Sequence, residues 1–375
     1  CKNLDIELIV LNIGESHPLG ESLEAWARQK RYSLFATKLD TEDMLLTAHH
    51  QDDQAETLLL QLSRGAGVKG LAAMPFLRNR DGMSHARPLL NFSREQLLEY
   101  AKLHKLQWIE DGSNDDLGID RNFFRHEILP ELQQRWPNIA ETLCRAASHQ
   151  AEAMTILDES AETDLQNCLT QAENCLDIEK LLLLSSARQA NSIRHWLRQL
   201  SLPIPDTRLM QEILNKLLPA KIDAEPLVRW PGTEIRRYQQ HLYASEPFPV
   251  HDNKVKLDWN LNAVCELGDG VLRASLGHGP GIKTDICRDN QVQIRYRRGG
   301  EKIKLFNKKH HQELKKLFQE TGIPPWIRDR IPLLYKDDKL IAVANLWIDV
   351  AACSTDDETA WQIDWNWSNW QNSNI

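Results

Sequence analysis

No Cys-x-x-Cys pair occurs anywhere in this chain. Its seven cysteines are scattered and odd in number, which argues against a disulfide framework and suits a reducing, cytoplasmic compartment. No apolar run approaches the ~20 residues needed to cross a bilayer, so a membrane role is not expected. The first residue is Cys1 rather than methionine, so the lack of a signal peptide carries little weight. Positive charge is also short overall: 45 Lys and Arg face 53 Asp and Glu, for a net charge of −8. That balance alone discourages a nucleic-acid partner. Its distribution points the other way. Residues 295–317 hold nine Lys/Arg against two Glu, a local +7 that leaves −15 for the rest. Such a run is most often just a solvated face, but a concentrated basic patch on an acidic protein is what an oriented RNA contact needs. At 375 residues, two or three domains with ample cores are expected.

The most informative stretch is 44–67. An apolar run, Met44-Leu45-Leu46, feeds a loop with His49, His50, Asp52 and Asp53, and then an apolar helix that ends at Ser63-Arg64-Gly65. In an open α/β sheet that junction is where ligands bind. Asp52 is expected as N-cap, with free N–H groups behind it for an anion. A capping Asp or a loop histidine usually does nothing chemical. Two of each within five residues favour a functional site.

The motif His49-x-x-Asp52-Asp53-Gln54-x-Glu56-Thr57 resembles that of tRNA(Ile)-lysidine synthetases, members of the N-type ATP pyrophosphatase group. The likeness continues through Glu24-Ala25-x-Ala27-Arg28-x-x-Arg31-Tyr32, Arg64-Gly65-x-Gly67-x-x-Gly70-Leu71 and Arg87-Pro88-Leu89-Leu90. It extends to Trp108-Ile109-Glu110-Asp111-x-Ser113-Asn114 and Arg121-Asn122-Phe123-Phe124-Arg125. Such enzymes open with a phosphate-gripping Ser-Gly-Gly-x-Asp-Ser loop, which this sequence does not contain. The resemblance therefore implies a chain missing its N-terminal portion and, on its own, inactive.

The implied fold is α/β: a truncated parallel-sheet, Rossmann-like ATP pyrophosphatase domain over 1–135, a mostly helical tRNA-binding or substrate domain over 136–245, and a small α+β tRNA-recognition domain over 255–375. Within the first, Ile6–Leu11 and Met44–Thr47 read as buried parallel strands, and Glu21–Phe35 and Ser93–Leu103 as helices, with Ser93 as N-cap. Gly65-x-Gly67-x-x-Gly70 matches the dinucleotide fingerprint literally. It closes a helix instead of opening one, so Gly65 is read as a left-handed C-terminal cap. Further helices are expected at Ser186–Leu200, Thr207–Leu218 and His310–Thr321. Strands are expected at Thr233–Ala244, Pro332–Tyr335 and Lys339–Leu346, the last two joined by an Asp337-Asp338 turn. Trp361, Ile363, Trp365 and Trp367 recur at period two, on one strand face. Core packing explains them better than stacking on RNA bases.

The resemblance also implies a reaction: AMP passes from ATP to the carbon-2 oxygen of the wobble cytidine in a CAU anticodon, and free L-lysine displaces it. Asp53 is then a partner for Mg²⁺ or the lysine amine, supported by Asp52. His49, with a pKa suited to proton movement, faces the base or a phosphate. Arg28, or Arg31, reaches phosphates or cytidine. Arg121 or Arg125 closes the site, and Glu56 orients its neighbours. Arg297, Arg298, Lys302, Lys308 and Lys309 are expected on tRNA phosphates, and the protein is expected as a monomer or homodimer. A tRNA thiolase of the same group, a metal phosphoesterase and a non-catalytic RNA-binding module are the other readings. The first lacks its cysteine pairs here, and the second lacks further ligands.

Overall fold

Helix α1 (Leu23–Ala36) forms from the amphipathic pattern expected over Glu21–Phe35, with Trp26, Ala27, Leu34 and Phe35 half-buried. The computed structural model describes residues 5–18, 23–40, 42–80, 83–109, 112–170, 175–222, 224–306, 308–355 and 357–367. Glu110 and Asp111 of the expected motifs, and the side chains of Glu24, Ala25, Ser113 and Asn114, lie outside that description. The chain divides into two units, Cys1–Glu159 and Ser160–Ile375.

In the first unit, β1 (Met44–Leu46) leads to α2 (Gln51–Ser63), α3 (Val68–Leu71), β2 (Leu77–Arg80) and β3 (Met83–Ala86). The sheet order is β1-β3-β2. β1 runs parallel to β3, while β2 runs antiparallel to it. An all-parallel sheet is therefore not what forms, because two residues between β2 and β3 are too few for a crossover. β1 is also not a buried strand: Met44 and Leu46 are mostly exposed. Ile6–Leu11, expected as a strand, is not one. It pairs with no described strand, and Ile6, Leu8, Ile9 and Val10 face solvent. Without a neighbour, strand backbone has nothing to bond.

Four helices complete the unit: α4 (Arg94–Leu103), α5 (Asp120–Phe123), α6 (Leu129–Arg135) and α7 (Ile139–Cys168), the last reaching past Glu159 in sequence. A π-turn, Phe124–Ile128, joins α5 to α6. Ser93 caps α4 as expected, its hydroxyl accepting from Gln96 N–H. Gly65 sits at φ +67° behind α2, a left-handed position that favours glycine. Ala55, Leu129 and Ala140 form the small buried core beneath the loop.

The second unit holds two apolar cores. The first is built from β4 (Cys175–Asp177), α8 (Ile178–Leu182), α9 (Ser186–Gln199), α10 (Thr207–Glu212), β5 (Leu227–Trp230), β6 (Thr233–Tyr238) and β7 (His241–Ser245). Asp177, Ser185 and Asp206 cap the three helices. The stripe expected on α9 is buried through Ala190, Ile193, Trp196 and Leu197. Helices make up most of 136–245, and a four-stranded antiparallel sheet, β4-β7-β6-β5, shares their core. Thr233–Ala244 is a hairpin rather than one strand: Gln239, at φ +53°, turns the chain between Tyr238 and His241.

The second core begins with β8 (Lys256–Asn260), β9 (Cys265–Leu267), β10 (Gly270–His278), β11 (Ile282–Lys283) and β12 (Gln291–Arg295). A short basic hairpin, β13 (Lys302–Ile303) and β14 (Gln312–Glu313), precedes α11 (Leu314–Glu320) and α12 (Pro325–Arg328). The helix expected from His310 thus starts later, since Gln312 and Glu313 pair with β13. The chain closes with β15 (Leu333–Lys336), β16 (Lys339–Val343), β17 (Trp347–Ile348) and β18 (Thr359–Trp367). Asp337 and Asp338 both take positive φ, 47° and 61°, as a tight hairpin turn requires. Trp361 and Trp365 point into the core, with Ile363 and Trp367 packed against it. Core packing is what the period-two tryptophans do.

Candidate functional site

The loop that carries the chemistry is anchored at both ends. Thr47 N–H donates to Ala86 O at 3.1 Å, extending the β1–β3 ladder, and Gln51 N–H donates to Phe92 O at 2.9 Å. The N-cap of α2 is His50, not Asp52. Asp53 accounts for the difference: its Oδ2 accepts from the His50 backbone N–H at 2.9 Å, which starts the helix two residues earlier. Asp52 accepts from Arg94 N–H at 2.8 Å and so ties α2 to the start of α4. The neighbouring His50 imidazole and that N–H, against the cost of burial, hold its carboxyl below the usual aspartate range.

Asp53 and Glu56 lie one turn apart on α2, and two arginines straddle them. Arg121, on α5, donates from Nε to Glu56 at 2.7 Å and from Nη2 to Asp53 Oδ1 at 3.0 Å. Arg125, on the π-turn, donates from Nε to Glu56 Oε1 at 2.6 Å and from Nη2 to Asp53 Oδ1 at 3.2 Å. The π-turn adds a residue to the helical ladder beside these arginines, a distortion often found at functional sites. Glu56 is wholly buried and Asp53 nearly so. Sequence reasoning expected one arginine to close the site. Both are held, and Glu56 accepts three of the five bonds, Asp53 two.

This geometry does not fit a metal ion held by Asp53. Its Oδ1 accepts from two guanidinium groups and its Oδ2 from a backbone N–H. Among the described residues no cluster of three or more His, Cys, Asp or Glu side chains could hold a metal.

His49 faces a different set of groups. Its Nδ1 lies 2.8 Å from Thr47 Oγ1, which lies 2.8 Å from His85 Nε2. Arg87 Nη2 is 3.3 Å from His85 Nδ1, and Arg87 Nη1 donates to Pro75 O at 2.7 Å. His85 and Arg87 are both 3% exposed. Burial pushes His49 down to about 4, with Arg87, Arg121 and Arg28 adding to the effect and Asp53 opposing it. The near-neutral pKa expected for His49 is therefore absent, and at pH 7 the ring is uncharged. Arg28 is exposed, stands over the Tyr32 ring at 5.5 Å and is close enough to act on His49. Arg31 is also exposed, and no hydrogen bond or ion pair joins it to another described residue.

Sequence reasoning missed Thr47, His85 and Gln54 as parts of this site. Gln54 clamps Met74 by both its backbone N–H and its C=O, each at 2.9 Å. His85 lies on β3 and Arg87 just past its end, but only the pairing of β1 with β3 brings them beside Thr47 and His49, so no local signal marked Thr47 or His85.

The basic segment divides into two parts. Arg297 is turned toward Asp329 at 2.9 Å, and Arg298 donates to the carbonyls of Asn253 and Lys254. Lys302, Lys308 and Lys309 are exposed on the β13–β14 hairpin, beside a Phe306 that is 86% exposed.

Comparison with known proteins places these features in context. Residues 1–132 match a family described as the PP-loop domain. Residues 176–243 match the TilS substrate binding domain, and 292–365 the TilS substrate C-terminal domain. A tRNA(Ile)-lysidine synthase of Coxiella burnetii is 41% identical over 97% of this chain and 81% of its own length. One of Methylococcus capsulatus is 42% identical over 91% and 78%, and one of Legionella pneumophila 37% over 97% and 84%.

Proposed function

We infer that this chain, which belongs to the tRNA(Ile)-lysidine synthase family, is a ligase that joins lysine to the wobble cytidine of a CAU-anticodon tRNA(Ile) with consumption of ATP. Oxygen on a pyrimidine carbon leaves poorly. Transfer of AMP to the carbon-2 oxygen makes it a good leaving group, and the lysine side-chain amine then displaces AMP. Departure of pyrophosphate in the first step develops negative charge that fixed cations stabilise.

The observation that carries this reading is the pair Arg121 and Arg125 locked onto Asp53 and Glu56 beside His49. Fixed guanidinium groups need no reorganisation when charge develops. Arg28 and Arg87 add positive charge on the His49 side, so the site favours an anion such as a triphosphate. Asp53 also serves the incoming lysine ammonium at its rim, and Asp52 acts by holding α2 against α4. Mg²⁺ in this scheme travels with the ATP phosphates, which commonly supply much of its coordination. The reacting groups belong to 1–135. The segments 136–245 and 255–375 hold the tRNA, with Lys302, Lys308, Lys309 and the neighbouring Arg298 on its phosphates. No helix among the described residues is long and apolar enough to cross a membrane, which is compatible with work on tRNA in the cytoplasm.

The test is incubation of the protein with tRNA(Ile) bearing CAU, ATP and labelled lysine, followed by mass analysis of the nucleosides. A cytidine carrying lysine supports the reading. No such nucleoside, together with no preference for this tRNA over one with an unrelated anticodon, overturns it.

A further inference from the structure

The hydrogen bonds from Arg87 to His49 run in one direction only. A guanidinium has N–H groups and no acceptor. His85 Nδ1, 3.3 Å from Arg87 Nη2, must therefore accept, and its proton sits on Nε2. That Nε2–H donates to Thr47 Oγ1 at 2.8 Å. The hydroxyl has a single proton, and the acceptor 2.8 Å away on its other side is His49 Nδ1. His49 Nδ1 thus uses its lone pair inward, and the proton of the neutral ring lies on Nε2.

His49 Nε2 has no hydrogen-bond partner among the described residues, and it is not among the buried atoms left without one. Its N–H is open to solvent and to whatever enters the site. We propose that Arg87, His85 and Thr47 are positioning residues that fix His49 as an Nε2–H donor, so that it hydrogen-bonds an oxygen of the phosphoryl group or of the cytidine and takes no proton from lysine. This extends the reaction assigned above and rests on that assignment for the identity of the acceptor. Burial of His49 works in the same direction by disfavouring the imidazolium. With its only lone pair already engaged by Thr47, the ring has none to offer the lysine ammonium.

The test uses protein labelled with ¹⁵N in histidine alone, its His49 signals assigned by comparison with His49→Gln. At pH 7 a long-range ¹H–¹⁵N spectrum is expected to show Nε2 protonated and Nδ1 bare for both His49 and His85. Thr47→Val removes the bridge and is expected to give His49 a mixture of tautomers and to slow lysidine formation about tenfold or more at unchanged KM for tRNA. Thr47→Ser keeps the hydroxyl and restores both. A proton on His49 Nδ1, or a Thr47→Val spectrum identical to the parent's, overturns the proposal. The wild-type spectrum alone decides the matter should Thr47→Val fail to fold. A fixed Nε2–H tautomer in a protein that makes no lysidine would count against the assigned reaction and uphold the hydrogen-bond chain.

Discussion

Glu56 accepts the Arg121 Nε at 2.7 Å from a position with no solvent exposure, while Arg121 itself stays about one-fifth exposed. The pair is asymmetric: the carboxylate is committed to the interior, and the guanidinium reaches from it toward the site. Two arginines share this buried acid, so removing it leaves two cations with Asp53 alone.

Glu56→Gln should therefore destabilise the first unit by about 2–3 kcal/mol, below the usual range for breaking a buried pair because the arginines are partly solvated. Denaturant unfolding followed by a probe within 1–159 measures it. A change under about 0.5 kcal/mol would mean the charge on Glu56 does not hold the arginines.

Asp53→Asn removes a charge while keeping volume and one oxygen. In a version of the protein that carries the phosphate loop, pyrophosphate release should fall by about 10²-fold or more, because Arg121 and Arg125 lose one of their two shared anchors. Binding to tRNA(Ile) should hold within about threefold, and the unfolding midpoint should move less than for Glu56→Gln. Parent-like release rates in Asp53→Asn would remove Asp53 from the chemistry.

Protonation of His49 links the site to stability. The folded ring titrates at about 4 and the unfolded one near 6.5, so between these values the unfolded state binds the extra proton. Stability is then complete above pH 6.5 and declines as pH falls toward 4, by about 1 kcal/mol once partial solvent screening is allowed for. His85, lowered chiefly by burial and then by Arg87, contributes with the same sign. His49→Gln should flatten part of that decline in urea midpoints measured from pH 7 to 4.5. An equally steep decline in the variant would place its origin elsewhere.

The strand-loop-helix at 44–63 was legible because each piece is local: an apolar run, a polar loop, an amphipathic helix and a glycine stop. Arg121 and Arg125 were legible as a pair because they sit one turn apart. Their joint grip on Asp53 and Glu56 was not, since it depends on how α5 and the π-turn pack on α2, across more than 60 residues of sequence. The Thr47–His85 bond was hidden for the same reason, being set by the register of β1 on β3. Ile6–Leu11 misled in the opposite direction, because apolar composition marks a strand only where a neighbour supplies hydrogen bonds. Asp52 misled as a cap because the next residue, Asp53, does that work from inside the helix.

The basic hairpin gives the last prediction, and the structure sharpens it by separating two kinds of cation. Lys308 and Lys309 are exposed, whereas Arg297 is half-buried and bonded to Asp329. A lysine that neutralises an RNA phosphate releases counterions, so log affinity falls as log salt rises. Replacing Lys308 and Lys309 with alanine should flatten that slope by roughly one to two units, with the unfolding midpoint unchanged within about 0.5 kcal/mol. Arg297→Ala should do the reverse. It should cost at most about 1 kcal/mol of stability, since water reaches the half-exposed Asp329, and change the salt slope little. Affinity for tRNA(Ile) measured across a salt series for all three proteins separates the cases. Parallel lines for the parent and the double lysine variant would show that the hairpin does not touch RNA.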